Sequence, residues 1–408
     1  MRIGFIGNTN NYPFMLARAL RKLGHEVRFI VSSQDPLNRP ENRYSDISYP
    51  YPTWIHDLSP IRLRDVMYVG SSARRRVLAL LHDCDAVIAN DFGPMLLSDL
   101  NMPSIALLTG SDLYALADAD TFMAGASQYH KLPVPLRWVT KWILSARLVR
   151  PQRIGIRGSA AVVYFPRGIL PRSDRLLDEL GIDDERRIVN VMTDADVLDY
   201  VPPPFNTPLR VFCGARLNWA SLRPEGAVEI DYKGAEVMVK GLALFVASTG
   251  VPLEIRLVRK GIHVRETMAL VEELGLAGHV VWLDEMSQKQ VEREYGQADV
   301  VFDQLGGGVI GMVSLDAMAL GRPVIANARP EILEPLLGAP SPICQARTPA
   351  EVSKQINYLH FNPDERARIG LASRKFVEQY CSSIALAKRC LLKLAPPPEP
   401  DRELSVPP

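Results

Sequence analysis

Three consecutive glycines stand at the centre of the segment whose residue types say most about chemistry. Residues 298–326 read ADVVFDQLGGGVIGMVSLDAMALGRPVIA. An apolar stretch leads into Gly306, Gly307 and Gly308, and the helical pattern that follows carries one acid, Asp316. A strand, a glycine turn and a helix present unpaired backbone N–H groups to an anionic ligand. The segment therefore predicts an anion-binding turn.

Two cations upstream of this segment have the chemistry to hold the same anion. Arg216 follows an apolar strand, and Lys233 stands with Gly234 just before a helical pattern, where its charge adds to the helix dipole. The intervening stretch NWASLRPEGAVEIDY resembles an inserted loop, so Arg223 within it is an alternative to Arg216. The alternative for Lys233 is an ordinary solvated surface lysine.

Two turns in the N-terminal half also place polar groups at strand ends. Gly7 and Asn8 follow the first strand, and their backbone and side-chain amides are candidates for facing a ligand. The alternative is a plain structural turn. In the second turn, Gly110 allows close backbone approach, while Ser111 and Asp112 are candidate acceptors for hydrogen bonds from the hydroxyl groups of a ligand. Here the alternative is that Ser111 or Asp112 caps the following helix.

Alternating strands and helices must position all these residues. In the first half, strands are predicted near 1–7, 25–31, 86–89, 104–108 and 160–164, with a helix over 12–22. The second half repeats the pattern near 210–213, 253–258, 279–283, 300–302 and 323–326, with helices over 236–248 and 264–274. This alternation predicts an α/β chain of two doubly wound parallel sheets. Ligands of such sheets bind beyond the carboxyl ends of the strands, which directs attention to a cleft between the domains.

Composition shifts suggest where the domains end. A chain of 408 residues favours two domains. We predict an N-terminal domain over 1–204 and a second domain over 205–375, joined at the proline cluster Val201-Pro202-Pro203-Pro204. A helix over 376–394 is predicted to pack back on the N-terminal domain, and the proline-rich tail 395–408 is predicted to be disordered.

Charge, cysteine content and hydropathy exclude several classes of protein. A net charge of +1 argues against a nucleic-acid partner. Five scattered cysteines without a CxxC pattern predict neither a zinc site nor a disulfide framework and fit a reducing cytoplasm. The first turn lacks G-x-G-x-x-G, which argues against NAD(P). The N-terminus begins directly as a strand, so no signal peptide is expected, and no apolar run reaches the length of a spanning helix.

The motifs together resemble those of the retaining GT-B glycosyltransferases (glycosyl transferases group 1, family 4-like). The resemblance is strongest from Lys233 to Ala326 and rests on Ala-Met-Ala-x-Gly-x-Pro-Val-Ile at 317–325. Family members carry two glutamates with seven residues between them, and the alignment puts Gly308 at the first and Asp316 at the second. Some members that carry Asp-Gln-Leu before the glycines, as at 303–305 here, also lack the first glutamate. Family members also commonly have histidine where this chain has Thr109.

The resemblance implies two Rossmann-like domains that face each other across a cleft. It implies transfer of a sugar from a nucleotide-diphosphate donor to an acceptor hydroxyl with retention, in the synthesis of cell-surface polysaccharide, glycolipid or other glycans. Asp112, Lys233 and Arg216 would be catalytic, and Gly7, Asn8, Gly110 and Ser111 would lie on the acceptor side. The donor would be bound by Gly307, Gly308, Ile310, Gly311, Met312 and Asp316. No cofactor or metal is expected, since no DxD-type ligand pair is apparent. The partners would be the donor and a glycan or lipid-linked acceptor.

Two other functions remain open on the sequence. A nucleotide-sugar epimerase of the same architecture would use the same diphosphate site, but it would need acid and base groups. A non-catalytic subunit that binds nucleotide sugar is suggested by Gly308 and Thr109, which replace the family's glutamate and histidine.

A basic stretch over 136–157 carries six cations and no acid, with Trp138 and Trp142 one helical turn apart. A basic helix with tryptophans can lie in an anionic membrane interface. The alternative, which the sequence favours, is a core-facing helix with a solvated face. We expect a cytoplasmic protein, with peripheral contact at the inner membrane face as the finer hypothesis.

Overall fold

The computed structural model describes two compact units, each built on its own parallel sheet. The first unit comprises Met1–Tyr164, Arg175–Ile188 and the described chain from Ala387, and the second comprises Phe165–Asp174 and Val189–Leu386. The predicted boundaries at 204 and 375 stay a prediction, as does the packing of helix 376–394. The predicted disorder of the tail concerns residues that, from 396 onward, lie outside the described ones. The structure describes residues 1–125, 127–225 and 227–395.

Seven strands form the sheet of the first unit, in the order β3-β2-β1-β4-β5-β6-β7. The first six strands of this order, β3-β2-β1-β4-β5-β6, pair in parallel with their neighbours. Because successive strands are added on one side of β1 and then on the other, the order reverses between β1 and β4. Their bounds are β1 Arg2–Ile6, β2 Glu26–Val31, β3 Ile55–Asp57, β4 Ala86–Ala89, β5 Ser104–Leu107, β6 Ala161–Tyr164 and β7 Arg187–Val189.

Helices connect these strands. The first begins and ends where the spacing of its apolar residues predicts, and it buries Phe14, Leu16 and Leu20. A π-helical turn, Ser145–Val149, joins the two helices of the basic stretch. The helices of this half are α1 Tyr12–Lys22, α2 Leu63–Val66, α3 Ser72–Leu81, α4 Ser111–Tyr114, α5 Ala119–Ala124, α6 Ser127–His130, α7 Val134–Leu144, α8 Arg150–Gly158 and α9 Pro171–Glu179.

The second unit contains a six-stranded parallel sheet in the order β10-β9-β8-β11-β12-β13. Its order reverses between β8 and β11. Both faces of β11 are buried: Val301 packs in one core, and Val300 and Phe302 pack in the other. The bounds are β8 Leu209–Cys213, β9 Leu253–Val258, β10 Val280–Leu283, β11 Val300–Phe302, β12 Val324–Ala326 and β13 Cys344–Gln345.

Helices cover both faces of this sheet, which confirms the predicted α/β class with two doubly wound sheets. The longest, α10, packs closely on α15 at Gly241, where a Cβ atom would lie 2.5 Å from Cγ1 of Val352. In the part of the chain that the structure describes, no helix has the length and hydropathy to cross a membrane. The helices are α10 Ala235–Thr249, α11 Val264–Glu273, α12 Gln288–Gln297, α13 Met312–Ala319, α14 Pro330–Leu337, α15 Pro349–Phe361, α16 Pro363–Phe376 and α17 Ser383–Leu394.

Candidate functional site

The glycine loop, residues 306–308, follows β11 at the point where the strand order of the second unit reverses. It lies directly on the backbone that precedes α10. The carbonyl oxygen of Lys233 accepts a hydrogen bond from the N–H of Gly306 at 3.0 Å. A Cβ atom on Gly307 would lie 2.8 Å from Cα of Ile230. The loop therefore holds its position because glycine lets two backbone segments touch, and in open α/β sheets this edge is where ligands bind.

The side chain of Lys233 is half-buried beside the loop, and its Nζ donates to Oε1 of Gln304 at 2.8 Å. Burial lowers the pKa of Lys233, while the carboxylates of Asp303 and Asp231 act to raise it and the charge of Arg216 lowers it further. Arg216 itself is exposed. The two predicted cations are therefore close enough for their positive charges to repel each other.

Asn218 connects the backbone near Arg216 to the backbone at Lys233, despite the inserted stretch between them. The side-chain Nδ2 of Asn218 donates to the backbone carbonyl of Asp231 at 2.8 Å, and the backbone carbonyl of Asn218 accepts from the N–H of Gly234 at 2.9 Å. These bonds tie together the two ends of the insertion. Arg223 instead forms an ion pair with Glu229, 3.4 Å away. The geometry thus favours Arg216 over Arg223.

Asp303 fixes the start of α13, the helix that follows the loop. Its Oδ2 accepts from the backbone N–H of Ser314 at 3.1 Å and from its hydroxyl at 2.6 Å. A Cβ atom on Gly311 would lie 2.7 Å from the same oxygen. The first N–H groups of a helix have no intrahelical acceptor, and Asp303 satisfies only that of Ser314. Within the described residues, the structure gives the N–H groups of Met312 and Val313 no acceptor, so they remain as donors for an anion.

Two amide side chains that the sequence analysis gave no role brace the loop. Gln304 is fully buried, and its Nε2 donates to the carbonyl of Val309. Asn327, also buried, donates to the carbonyl of Gly306 at 3.3 Å. Gln304 is the second residue after the buried strand β11, and Asn327 directly follows the buried strand β12. Their position at these strand ends was the sequence signal that could have identified them.

Asp316 lies in the second turn of α13 and is buried. Its Oδ1 accepts from the hydroxyl of Thr193 at 2.5 Å, and its Oδ2 accepts from Nε2 of Gln288 at 3.2 Å. The helix begins four residues earlier, at Met312, so Asp316 is not a first-turn carboxylate placed to interact with the helix dipole. The carboxylate is therefore held by specific donors.

In the first unit, Asp112 holds the turn between β5 and α4. Its carboxylate accepts from the backbone N–H groups of Thr109 and Gly110, each at 2.8 Å, and from Nδ2 of Asn90 at 3.0 Å. The side chain is buried, and that burial raises the pKa of Asp112 to about 6. These contacts give Asp112 a structural role, while its catalytic role stays a prediction. Ser111, in contrast, is exposed.

Asn90, at the end of β4, links this turn to the one that carries Gly7 and Asn8. Its Oδ1 accepts from the N–H of Thr9 at 2.9 Å. Gly7 has φ +87°, and a Cβ atom there would lie 2.6 Å from the carbonyl carbon of Asn90. The side chain of Asn8 is buried, and its Oδ1 accepts from the N–H of Phe14 at 3.1 Å. The contacts of Asn8 therefore hold this turn and tie it to the segment after β2, where the carbonyl oxygen of Asn38 accepts from Nδ2 of Asn8 at 2.9 Å.

The chain contains five cysteines. All five are buried and free. Burial raises the pKa of Cys213 and of Cys390 to about 12, so neither is a ready nucleophile at neutral pH. Within the described residues, no group of three or more His, Cys, Asp or Glu side chains is arranged to hold a metal ion.

Comparison with known proteins now gives these features a family. Residues 230–376, which include Lys233, the glycine loop and α13, match the model of the glycosyl transferases group 1. Residues 230–376 therefore carry a glycosyl transferases group 1 domain, and the chain is a glycosyltransferase with the GT-B fold. As a glycosyltransferase, it takes its sugar from a nucleotide sugar. No curated protein sequence matches it.

Solved structures show the same fold over nearly the whole glycosyltransferase. HepE of Anabaena, in complex with UDP-glucose, is 14% identical with a TM-score of 0.59, covering 97% of this chain and 99% of that one. A glycosyltransferase from Rickettsia africae is 15% identical with a TM-score of 0.58, covering 96% and 97%. WaaG, a glycosyltransferase involved in lipopolysaccharide biosynthesis, is 14% identical with a TM-score of 0.53, covering 96% and 98%.

The contacts of Asp112 predict a stability effect. Replacing Asp112 with alanine leaves several buried N–H groups without an acceptor, which should lower the free energy of unfolding by about 2 kcal/mol. Urea denaturation followed by circular dichroism would measure it. The control is Asp120→Ala, because Asp120 is exposed and pairs only with Lys141 at the surface; this change should cost less than about 0.5 kcal/mol. Equal effects of the two variants would contradict the structural role.

Proposed function

We propose that this glycosyltransferase moves a sugar from a nucleoside-diphosphate donor to an acceptor hydroxyl with retention of the anomeric configuration. The observation that carries the proposal is the concentration of positive charge near the glycine loop. Lys233 lies beside the loop and Arg216 is close enough to affect its pKa, at the strand-order reversal of the second sheet. Negative charge develops on the leaving diphosphate as the glycosidic bond breaks. Cations and helix N–H groups fixed in advance stabilise that charge most effectively.

In the proposed reaction, the bond from the anomeric carbon to the diphosphate oxygen breaks with its electron pair going to the diphosphate. The acceptor oxygen forms the new bond on the same face, and its proton passes to the departing diphosphate. Support for this front-side course comes from the family resemblance and from Gly308, which offers no nucleophile at the loop. Comparing the anomeric configuration of donor and product by NMR would test it, and inversion would contradict it.

Asp316 is proposed to accept hydrogen bonds from the ribose hydroxyls of the donor. Its carboxylate is oriented by Thr193 on one oxygen and by the half-exposed Gln288 on the other. Gln288 is the partner that a ribose hydroxyl would replace. On the acceptor side, the exposed Ser111 is the predicted residue whose side chain is open to solvent.

The proposed setting is the synthesis of cell-surface polysaccharide, glycolipid or another glycan at the cytoplasmic membrane face. Its support is α7, in which Trp138 and Trp142 are each 71% exposed and the only buried residue recorded for the helix is Leu144. The tryptophans therefore lie on the solvated face of the basic stretch, while Leu148 and Ile156 of the same stretch are buried. Exposed tryptophans next to Arg137 and Lys141 suit an anionic membrane interface.

The first experiment removes the charge of Lys233. Lys233→Met should lower kcat by about 10²- to 10³-fold with a uridine-diphosphate sugar, because one of the groups that stabilise the leaving diphosphate is lost. Uridine donors are the first choice because HepE binds UDP-glucose. The backbone carbonyl that holds the loop is unchanged by this substitution.

The control is Lys240→Met, which removes an exposed lysine from the solvated side of α10. It should leave both kcat and donor affinity unchanged. If Lys233→Met binds UDP and turns over as the wild type does, the proposed function is wrong. Calorimetry with UDP and an acceptor screen would also separate a transferase from a binding subunit. Conversion of the donor sugar to its epimer without any acceptor would instead identify an epimerase, the class of enzyme named for a structural neighbour from Listeria monocytogenes.

Metal independence is a second expected property. We propose that Lys233 and Arg216 supply the charge that a divalent cation supplies elsewhere, so treatment with EDTA followed by desalting should leave kcat within about twofold. The measurement is initial rate before and after treatment, with and without added Mg²⁺. A loss of rate that Mg²⁺ restores would contradict the proposal.

Membrane contact is tested through the exposed tryptophans. The double variant Trp138→Ser/Trp142→Ser should bind phosphatidylglycerol-containing vesicles at least about tenfold more weakly, because it loses large apolar groups from the interface. Flotation with and without the anionic lipid measures this. The matched control is Phe361→Ser/Leu392→Ser, since Phe361 and Leu392 are also exposed apolar residues. Equal losses in both double variants would contradict a specific contact.

A further inference from the structure

Arg329 packs against Gly308, the last residue of the glycine loop. It follows β12, the neighbour of β11 in the sheet, and so reaches the loop from the adjacent strand end. A Cβ atom built on Gly308 would lie 2.5 Å from Cδ of Arg329 and nearer still to its Cγ. Any larger residue at 308 would therefore have to displace the arginine stem. The Arg329 side chain can therefore hold its position only because residue 308 has no side chain.

The backbone of Arg329 is held in an unusual conformation. Its φ is +47°, in the left-handed region that costs conformational energy for a residue with a side chain. The residue precedes α14 but does not cap it with its side chain. Strained residues of this kind concentrate at ligand sites, where the position of the side chain offsets the strain.

The guanidinium group of Arg329 keeps part of its hydrogen-bonding capacity. Its Nε donates to Glu331 at 2.6 Å, and within the described chain the structure gives its two terminal nitrogens no partner. Glu331 is shared with Arg347, whose Nη2 lies 2.9 Å from it. Two cations thus share one carboxylate, which leaves positive charge beside the loop. The side chain of Arg329 is one-third exposed and so accessible.

We infer that Arg329 binds a carboxylate on the donor sugar, so that the enzyme uses a uronic acid donor in preference to a neutral hexose. The inference rests on the proposed function, in which the loop and Lys233 hold the diphosphate. The sugar is bonded directly to that diphosphate and lies within reach of a cation beside the loop. A guanidinium fork matches a carboxylate with two parallel hydrogen bonds, and a neutral hydroxyl offers no such partner.

The test compares UDP-glucuronate and UDP-glucose, which differ only at the carboxylate. Calorimetry should show the wild type binding UDP-glucuronate at least about tenfold more tightly, the difference expected for a charged bidentate contact. Arg329→Asn should reduce the ratio of the two affinities to below about threefold. Asparagine tolerates the left-handed conformation, so this variant should fold. Circular dichroism checks that it does.

The matched control is Arg368→Gln, an exposed arginine on α16 that also pairs with a glutamate, Glu365. It should leave the ratio of affinities unchanged. Equal affinity of the wild type for the two donors would overturn the inference, and so would a loss in Arg329→Asn that is equal for both donors, since Arg329 would then grip the diphosphate. Failure of the wild type to bind UDP at all would instead overturn the proposed function.

Discussion

The close approach of two backbone segments is the constraint on which the candidate site depends. The glycine loop after β11 lies on the segment that leads into α10, and the carbonyl of Lys233 accepts from the loop. Gly234 completes this contact, because its φ is +74° and a Cβ atom there would lie 2.7 Å from the N–H nitrogen of Gly306. The glycines thus set the position of both Lys233 and the start of α13. A side chain at any of them would move the charges as well as the loop.

The same contact sets the electrostatics. Lys233 is drawn into a half-buried position, which lowers its pKa, and Arg216 lowers it further. A bound diphosphate would favour the charged form of Lys233 and offset both effects, so the site is complementary to an anion before one arrives. Asp303 has two functions here, since it holds the N–H of Ser314 and favours the charge on Lys233. Helix position and lysine charge are therefore coupled through one carboxylate.

Much of this was predictable because it depends on local pattern. The helix over 12–22 and the strand over 300–302 follow from periodicity, and Lys233 follows from its place before a helix. Strands β3, β7 and β13 were not predicted, since two or three residues are too few to establish a period. The inward direction of Asn8 and the outward direction of Trp138 depend on distant partners. No pattern within one element reports such partners, and Asn218, which connects the backbone near the two cations, was missed for the same reason.

Gly308 shows how a departure from a family pattern changes meaning once its neighbours are known. In the sequence it looks like the loss of an acid, which suggests weakened or absent catalysis. In the structure, the space that a side chain at 308 would need is occupied by the stem of Arg329, which comes from the end of the adjacent strand. An acid at 308 and an arginine stem in its present position exclude each other sterically. If the resemblance places the family's glutamate correctly, this chain has a positive group where the family has a negative one, and beside the proposed diphosphate site such a reversal of charge would act on the chemistry of the sugar that the site can hold.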